Sequence, residues 1–136
     1  MSFVVDASVT LAWLFEDESN DYTEKALSRL ETENALVPGI WLYEVANVLV
    51  LAERRGRITE AVSRQFRELL SRLPIQVHHL GLTELWSSAT HLAREHGLTA
   101  YDAAYLELAM REGLPLATQD KTLKEAARAA GVPDVG

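Results

Sequence analysis

Four widely spaced acidic residues are the candidates for chemistry in this sequence. All four lie beside apolar runs, and they are Asp6, Glu44, Asp102 and Asp120. Asp6 directly follows the short apolar run Phe3–Val5, and Asp120 lies just beyond the run Leu114–Ala117. If both runs are central parallel strands, their carboxyl ends deliver the two acids to one edge of a sheet, where open α/β sheets bind ligands.

Glu44 is the most unusual of these acids. It lies in the segment Ile40–Ala52, in which the only other strongly polar residue is Asn47. The two residues are three apart and therefore share one face of a helix. A helix this apolar is expected to be mostly buried, and a carboxylate there is costly unless it is paired, protonated or bound to metal. Asp102 precedes a similarly apolar segment.

The three aspartates also have a simpler interpretation as helix caps. Asp6 and Asp120 could each cap the helix that follows, and Thr99 with Asp102 resembles a capping box with Asp in place of Glu. Capping does not explain Glu44, for which the alternative is a buried hydrogen bond or ion pair. Capping and metal binding are compatible, and four carboxylates in one place would repel strongly without a hard cation. The set therefore favours a site for Mg²⁺ or Mn²⁺.

Other chemistries lack their residues. There is no cysteine, which excludes disulfides, thiolate metal sites and cysteine nucleophiles. The histidines have no metal-ligand spacing and are interpreted as structural or surface residues: His78, His79, His91 and His96. The glycines are isolated, so no phosphate-binding loop is present, and no Gly-x-Ser-x-Gly elbow occurs. Metal-assisted attack on a phosphate ester remains.

The elements that must position these acids alternate between short strands and helices. Strands are predicted at Phe3–Val5, Ala35–Val37, Ile75–His78 and Leu114–Ala117, with a short last one beginning at Val132. Helices are predicted over 7–15, 22–33, 40–55, 59–73, 82–96, 99–112 and 121–130. Strands this short, alternating with longer helices, indicate an α/β domain around a mostly parallel sheet. The length of 136 residues, without linker or repeat, predicts a single domain over 1–136.

Charge and hydropathy narrow the function classes. The net charge of −7 argues against binding polyanions by bulk attraction. Arginines nevertheless cluster between residues 54 and 72, a pattern that is typical of a solvated helix face and could alternatively be a local patch for phosphate. No apolar run approaches the ~18 residues of a membrane span, and the first residues lead us to expect no secretory signal. A cytoplasmic enzyme or binding domain is expected.

Four segments, FVVDAS, WLYEVANVL, LTAYDAAYLELA and PLATQDKTL, resemble those of the PIN-domain ribonucleases, particularly the VapC-type toxins of toxin–antitoxin pairs. The resemblance implies a three-layer α/β/α sandwich with a short parallel sheet and an Mg²⁺- or Mn²⁺-dependent endoribonuclease activity. It matches the family's acids to the four named above and its small polar residues to Ser8, Asn47 and Thr118. It also implies a homodimer and a cognate, VapB-like antitoxin whose tail covers the acidic pocket; an arginine in such a tail would pair well with carboxylates.

The resulting hypothesis is metal-dependent RNA hydrolysis, with Asp6 and Asp102 as direct ligands. Glu44 and Asp120 would act directly or through bound water, while the three small polar residues orient ligands or waters. Phosphate contacts are assigned weakly to the basic cluster, principally Arg54, Arg55 and Arg57, and a dimer contact to the region 40–55 or nearby helices.

Two rival hypotheses come from other classes. One is a non-catalytic module whose acidic pocket recognises a basic peptide. The other is a metal-dependent phosphohydrolase acting on small phosphate esters. An aromatic side chain near the pocket, Trp13 or Tyr101, would suit base stacking and favour a nucleic-acid substrate, although both are equally compatible with the core.

Overall fold

A four-stranded parallel sheet organises the protein. The computed structural model describes all residues 1–136, with strands β1 (Ser2–Val5), β2 (Asn34–Pro38), β3 (Ile75–His78) and β4 (Leu116–Ala117). Their order is β3-β2-β1-β4, and every pairing is parallel. The chain runs outward from β1 to β2 and β3 and then returns to the other side of β1 as β4. The switch point of this α/β sheet, where ligands bind, therefore lies between the carboxyl ends of β1 and β4.

Both faces of the sheet are covered. Phe3, Val4 and Val5 are consecutive residues of β1, and each is 0% exposed. Successive side chains of a strand point to opposite faces, so complete burial of neighbours requires a packed layer on each side. The predicted three-layer α/β/α architecture is confirmed.

Eight α-helices connect and cover the strands. Their bounds are α1 Ala7–Ala12, α2 Asp21–Arg29, α3 Ile40–Arg54, α4 Glu60–Arg72, α5 Leu82–Glu84, α6 Thr90–His96, α7 Ala100–Glu112 and α8 Lys121–Ala129. A 3₁₀ turn spans Glu16–Glu18, and a π-helical turn, Leu85–Ala89, joins α5 to α6. The single helix predicted over 82–96 is thus interrupted by a wider turn. None of the helices combines the length and hydrophobicity needed to cross a membrane.

Several predicted ends needed correction. The first helix ends at Ala12 rather than residue 15, and β4 begins at Leu116 rather than residue 114. The strand expected from Val132 is reduced to a single parallel bridge between Leu116 and Asp134. β4 is therefore the edge strand of the sheet, and only this bridge lies on its outer side. The two strands that flank the switch point, β1 and β4, are both present as predicted.

Helix α3 is only half buried, so the prediction that it lies mostly in the interior was wrong. Its buried residues follow one stripe: Trp41, Val45, Leu49 and Ala52. The opposite side exposes Leu42, Tyr43 and Val50, with 75% of Tyr43 accessible. Apolar composition fixes neither how many neighbours a helix has nor which of its faces they cover. Glu44 consequently lies at the boundary between core and solvent.

Candidate active site

Asp6 lies at the end of β1, and three donors hold its carboxylate. Its Oδ1 accepts hydrogen bonds from the Val9 N–H at 3.0 Å and the Ser8 hydroxyl at 2.7 Å, and the first of these caps α1. Its Oδ2 accepts a short hydrogen bond from the Thr118 hydroxyl. The residue is 5% exposed, and burial raises the pKa of its carboxyl against the opposing effect of these donors.

Thr118 links the two strands of the switch point. It follows β4 directly, and its hydroxyl donates to Asp6 across the sheet edge while accepting the Asp120 N–H at 3.0 Å. Asp120 in turn accepts the Leu123 N–H at 2.8 Å through Oδ1 and caps α8, as predicted. The Oδ2 atom of Asp120 makes no hydrogen bond, and the residue is exposed. Capping therefore leaves one of its oxygens available.

Glu44 reaches the site from α3. Its Oε1 accepts a hydrogen bond from the Tyr105 hydroxyl of α7 at 2.6 Å, so a partly buried hydrogen bond does exist at this residue. Burial raises the pKa of the Glu44 carboxyl, and the nearby charges of Asp102 and Asp6 add to the rise. The bond from Tyr105 opposes it, because it stabilises the ionised form.

Asp102 carries the least engaged carboxylate. Its N–H donates to the Thr99 hydroxyl at 3.1 Å, which confirms Thr99 as the cap of α7. The reciprocal bond of a capping box is absent, so the Asp102 carboxylate accepts no hydrogen bond. Burial is the first cause that raises the pKa of this carboxyl, followed by the charges of Asp120 and Asp6. Capping thus accounts for the Asp102 amide and leaves its carboxylate unexplained.

The four acids lie within one electrostatic neighbourhood. The negative charge of Asp120 contributes to the raised pKa of Asp6. The charges of Asp102 and Asp6 contribute to the raised pKa of Glu44. Those of Asp120 and Asp6 contribute to the raised pKa of Asp102. None of the four forms a salt bridge with Lys, Arg or His. Uncompensated negative charge is therefore concentrated at the switch point.

An oxygen-rich site of this kind fits a hard divalent cation. No three Asp, Glu or His side chains are close enough together to bind one ion directly. An Mg²⁺ ion, which usually binds one or two carboxylates and keeps several of its waters, would be compatible with these donors. Zinc would not be, because it prefers nitrogen or sulfur donors in a tight shell. The donors are all oxygens and so fit a hard cation by their chemistry, although their spacing does not by itself define an ion site.

Ser8 and Asn47, the other predicted polar residues, lie at the rim. Ser8 is exposed and donates to Asp6. Asn47 is exposed one turn after Glu44 and makes no hydrogen bond. It shares an open pocket of about 330 Å³ with Glu44 and the two aromatic residues Tyr43 and Tyr101. Its amide is consequently free to bind a ligand in that pocket.

Sequence reasoning missed two tyrosines that hold the site together. Tyr105 lies one turn after Asp102 on the same face of α7, and this spacing could have indicated it. Tyr22 has no comparable sequence signal. Its hydroxyl accepts the Thr118 N–H at 3.1 Å and donates to Asp134 at 2.7 Å, so it fixes the backbone from which Thr118 reaches Asp6.

Arg57 and Trp13 each make contacts within the protein, whereas the sequence had suggested them as possible contacts for RNA phosphate and for a base. The guanidinium of Arg57 pairs with Asp17 and with Glu18, the latter at 3.1 Å, and lies 4.0 Å from the centre of the Phe15 ring. An RNA phosphate would have to displace two carboxylates there. The Trp13 indole N–H donates to the Thr23 carbonyl at 2.9 Å, which gives it a packing role. Arg54 and Arg55 are exposed, and so is Tyr101.

The raised pKa of Asp102 predicts a pH-dependent stability difference. The folded state loses this proton at a higher pH than the unfolded chain does, so above the ordinary value of 3.8 the folded state binds more protons and stability falls as pH rises. In metal-free protein with EDTA, Asp102→Asn is expected to raise Tm by a few degrees at neutral pH. The gain should shrink as the pH falls from the raised pKa of Asp102 towards its ordinary value of 3.8, and it should vanish below that value. Thermal unfolding from about pH 3 to 8 measures it.

A matched control for this prediction is Glu125→Gln, because Glu125 is exposed on α8 and forms no ion pair. The control should show no pH-dependent gain over the wild type. An Asp102→Asn variant with the same Tm difference at every pH would contradict the proposed repulsion among the acids.

The parallel α/β fold with acids at its switch point and the sequence together place the chain in a particular family. The sequence model of the PIN-domain family matches residues 3–129, and the chain therefore belongs to that family. It is 36% identical over 127 residues to ribonuclease VapC3 of Pyrobaculum aerophilum, covering 92% of this chain and 94% of that protein. It is also 35% identical over 104 residues to exonuclease VapC9 of the same organism, covering 76% and 73% of the two chains.

Solved structures agree on the fold. A crystal structure of the P. aerophilum protein PAE2754 superposes with a TM-score of 0.71 at 31% identity, covering 99% of this chain and 84% of that one. VapBC2 of Rickettsia felis, solved bound to a DNA fragment from its promoter, superposes with a TM-score of 0.68 over 93% of each chain. Its identity of 11% makes this a likeness of fold alone. The predicted family and α/β fold are confirmed.

Proposed function

We propose that this protein is a divalent-metal-dependent endoribonuclease and the toxin of a toxin–antitoxin pair. The observation that carries the proposal is the cluster of four carboxylates without cationic partners at the switch point of a PIN-domain fold. The similarity to a protein named ribonuclease VapC3 supports RNA as the substrate. In this proposal, residues 1–136 form one nuclease domain.

Asp6 and Asp102 are the proposed direct ligands of the metal. Asp6 is held in one orientation by its three donors, and Asp102 has both oxygens free of hydrogen bonds. Asp120 and Glu44 complete the site directly or through water. When bound, the ion supplies an activated water and stabilises charge on the phosphate. Ser8 and Thr118 hold Asp6 in place, and Asn47 orients a water or a phosphate oxygen at the rim.

The decisive test is a circular single-stranded RNA incubated with purified protein in Mg²⁺, in Mn²⁺ and in EDTA. A circle has no end, so only an endonuclease can cut it. We expect linear product with either metal and none in EDTA. Cutting confined to linear RNA would replace the proposal with an exonuclease, the activity named for VapC9. Turnover of small phosphate esters without any RNA cleavage would favour a general phosphohydrolase.

Arg55, at the end of α3, is a candidate contact for RNA phosphates. It lies about three turns after Glu44, on the same side of α3 and roughly 16 Å along the axis. We propose that Arg55, with its neighbour Arg54, binds phosphates remote from the cleaved bond. Arg55→Ala should weaken RNA binding and reduce the slope of log Kd against log salt by about 0.7, as expected for one lost phosphate contact on a single strand.

Arg57→Ala serves as the comparison for this prediction, because Arg57 is held by Asp17 and Glu18. It should lower stability and leave the salt slope unchanged. Fluorescence anisotropy of a labelled oligoribonucleotide, measured with Asp102→Asn as the background, gives both slopes. An unchanged slope for Arg55→Ala would remove this residue from the interface.

The partner proposals are an antitoxin and a second copy of the chain. Antitoxin binding is supported by the fold shared with the toxin–antitoxin structure VapBC2. A basic tail, especially one with arginine, complements the unpaired acids and would compete with metal and RNA. Homodimerisation is supported by the exposed apolar side chains of α3 and α4, among them Leu42, Val50 and Leu69. Tight binding of a basic peptide without any RNA turnover would instead favour the non-catalytic module.

A further inference from the structure

An apolar groove adjoins the candidate active site at the carboxyl end of β2. Its volume is about 390 Å³, and its walls come from the start of α3, the π-helical turn and the start of α7. Three aromatic rings line it and protrude into solvent: Tyr43, Trp86 and Tyr101, with exposures of 75%, 68% and 60%. Three large exposed rings around one groove form an apolar patch of a kind that is uncommon on protein surfaces and indicates a binding site.

The groove is continuous with the acidic site. Tyr43 and Tyr101 line both the groove and the pocket that contains Glu44 and Asn47. In the sequence, Tyr43 directly precedes Glu44, and Tyr101 directly precedes Asp102. Neighbouring residues of a helix point in different directions, so the shared pocket, and not adjacency in the sequence, is what places both rings beside Glu44. The pocket therefore offers both rings to a base next to a phosphate bound near Glu44.

The lining of the groove suits a base and not a phosphate. No Lys or Arg side chain lines it, and most of its residues are apolar. His79 supplies an imidazole that can exchange hydrogen bonds with a base edge. Trp86 projects from the π-helical turn Leu85–Ala89, a conformation often found at functional sites. Stacking on aromatic side chains is the usual way in which proteins bind unpaired bases.

We infer that this groove binds an unstacked base of single-stranded RNA beside the phosphate that is cut, with Tyr101 and Tyr43 as its stacking surfaces. The inference rests on the proposed ribonuclease function and adds to it the subsite that holds a base. A base within a duplex remains stacked on its neighbours and cannot enter the groove.

The test compares a short single-stranded RNA with the same RNA lacking one base beside the cut bond, with the abasic position placed on either side in turn. Wild-type protein should cleave the complete RNA roughly 5- to 100-fold better than one of the abasic forms, the range expected for one stacked base. Tyr101→Leu should lose a similar factor on the complete RNA, mainly in KM, and show no further loss on the abasic one. Tyr101→Phe should behave as wild type, because the ring remains.

A binding measurement tests the stacking of the base directly, without cleavage. With Asp102→Asn as a non-cleaving background, 2-aminopurine beside the cut position should be quenched on binding, and adding Tyr101→Leu should abolish the quenching. Met110→Ala alters an exposed apolar side chain near the other end of α7, outside the groove, and is the matched control, which should leave both readouts unchanged. Both variants alter exposed side chains, so the fold should persist.

Equal losses by Tyr101→Leu on complete and abasic RNA would overturn the inference, as would equal cleavage of both RNAs by the wild type. Absence of cleavage of any RNA would instead refute the proposed function itself. If Trp86→Ala and Tyr101→Leu convert a dimer to a monomer in sedimentation while base discrimination is unchanged, the groove belongs to a second copy of the chain.

Discussion

Asp102→Asn is expected to lower kcat/KM for RNA cleavage by at least ~100-fold, since a metal ion contributes several kcal/mol to such a transition state and the substitution removes one of the charged ligands proposed for it. The side chain accepts no hydrogen bond in the folded protein, and the Thr99 cap involves only its backbone. The loss should therefore arise without loss of fold. Cleavage of a labelled RNA at saturating Mg²⁺ measures the effect.

Glu125→Gln is again the appropriate control, since it also replaces a carboxylate with an amide but lies away from the site on α8. Calorimetric titration with Mn²⁺ adds a readout that does not depend on turnover, and Asp102→Asn should weaken binding while the control does not. Undiminished cleavage and unchanged Mn²⁺ affinity in Asp102→Asn would eliminate this residue as a ligand.

Thr118→Val is expected to reduce Mn²⁺ affinity and RNA cleavage by about 10- to 100-fold, the usual cost of losing a residue that orients a metal ligand. The hydroxyl donates to the buried Asp6 and accepts the Asp120 N–H, so valine leaves both groups without this partner. Unfolding free energy should also fall by about 1–3 kcal/mol, the cost of an unsatisfied buried polar group.

Thr118→Ser supplies the matched comparison, because it keeps the hydroxyl and removes only a methyl group. It should restore most of the Mn²⁺ affinity and activity, whereas a purely steric role for Thr118 would make the similarly shaped Val harmless and Ser the more damaging change. Calorimetry with Mn²⁺ and chemical denaturation of each variant distinguish these outcomes.

Local chemistry explains what the sequence predicted well. The strand ends and the caps at Asp6, Thr99 and Asp120 depend on neighbours within a few residues, so propensity and spacing predicted them. The proximity of Asp6 and Asp120 required only that the parallel strands β1 and β4 end at the same edge of the sheet. The full burial of β1 followed from its uninterrupted apolar sequence.

Features that depend on residues far away in the sequence could not be predicted from local patterns. The Tyr22 hydroxyl contacts a residue nearly a hundred positions away, and Arg57 is held by acids forty positions before it. The exposed side of α3 also carries large apolar residues, among them Leu42 and Val50, so composition could not show where its buried face ends. The π-helical turn at Leu85–Ala89 has no glycine or proline to mark it, and the groove formed beside it was therefore not foreseen.

The double duty of Asp6 and Asp120, each a cap as well as a site acid, has a practical consequence for preparing complexes. Altering either one loosens a helix end along with the chemistry, whereas Asp102 can be changed without touching any side-chain hydrogen bond. An inert form meant for co-crystallisation with uncut RNA, or for production in cells that the active enzyme would kill, is best made at position 102.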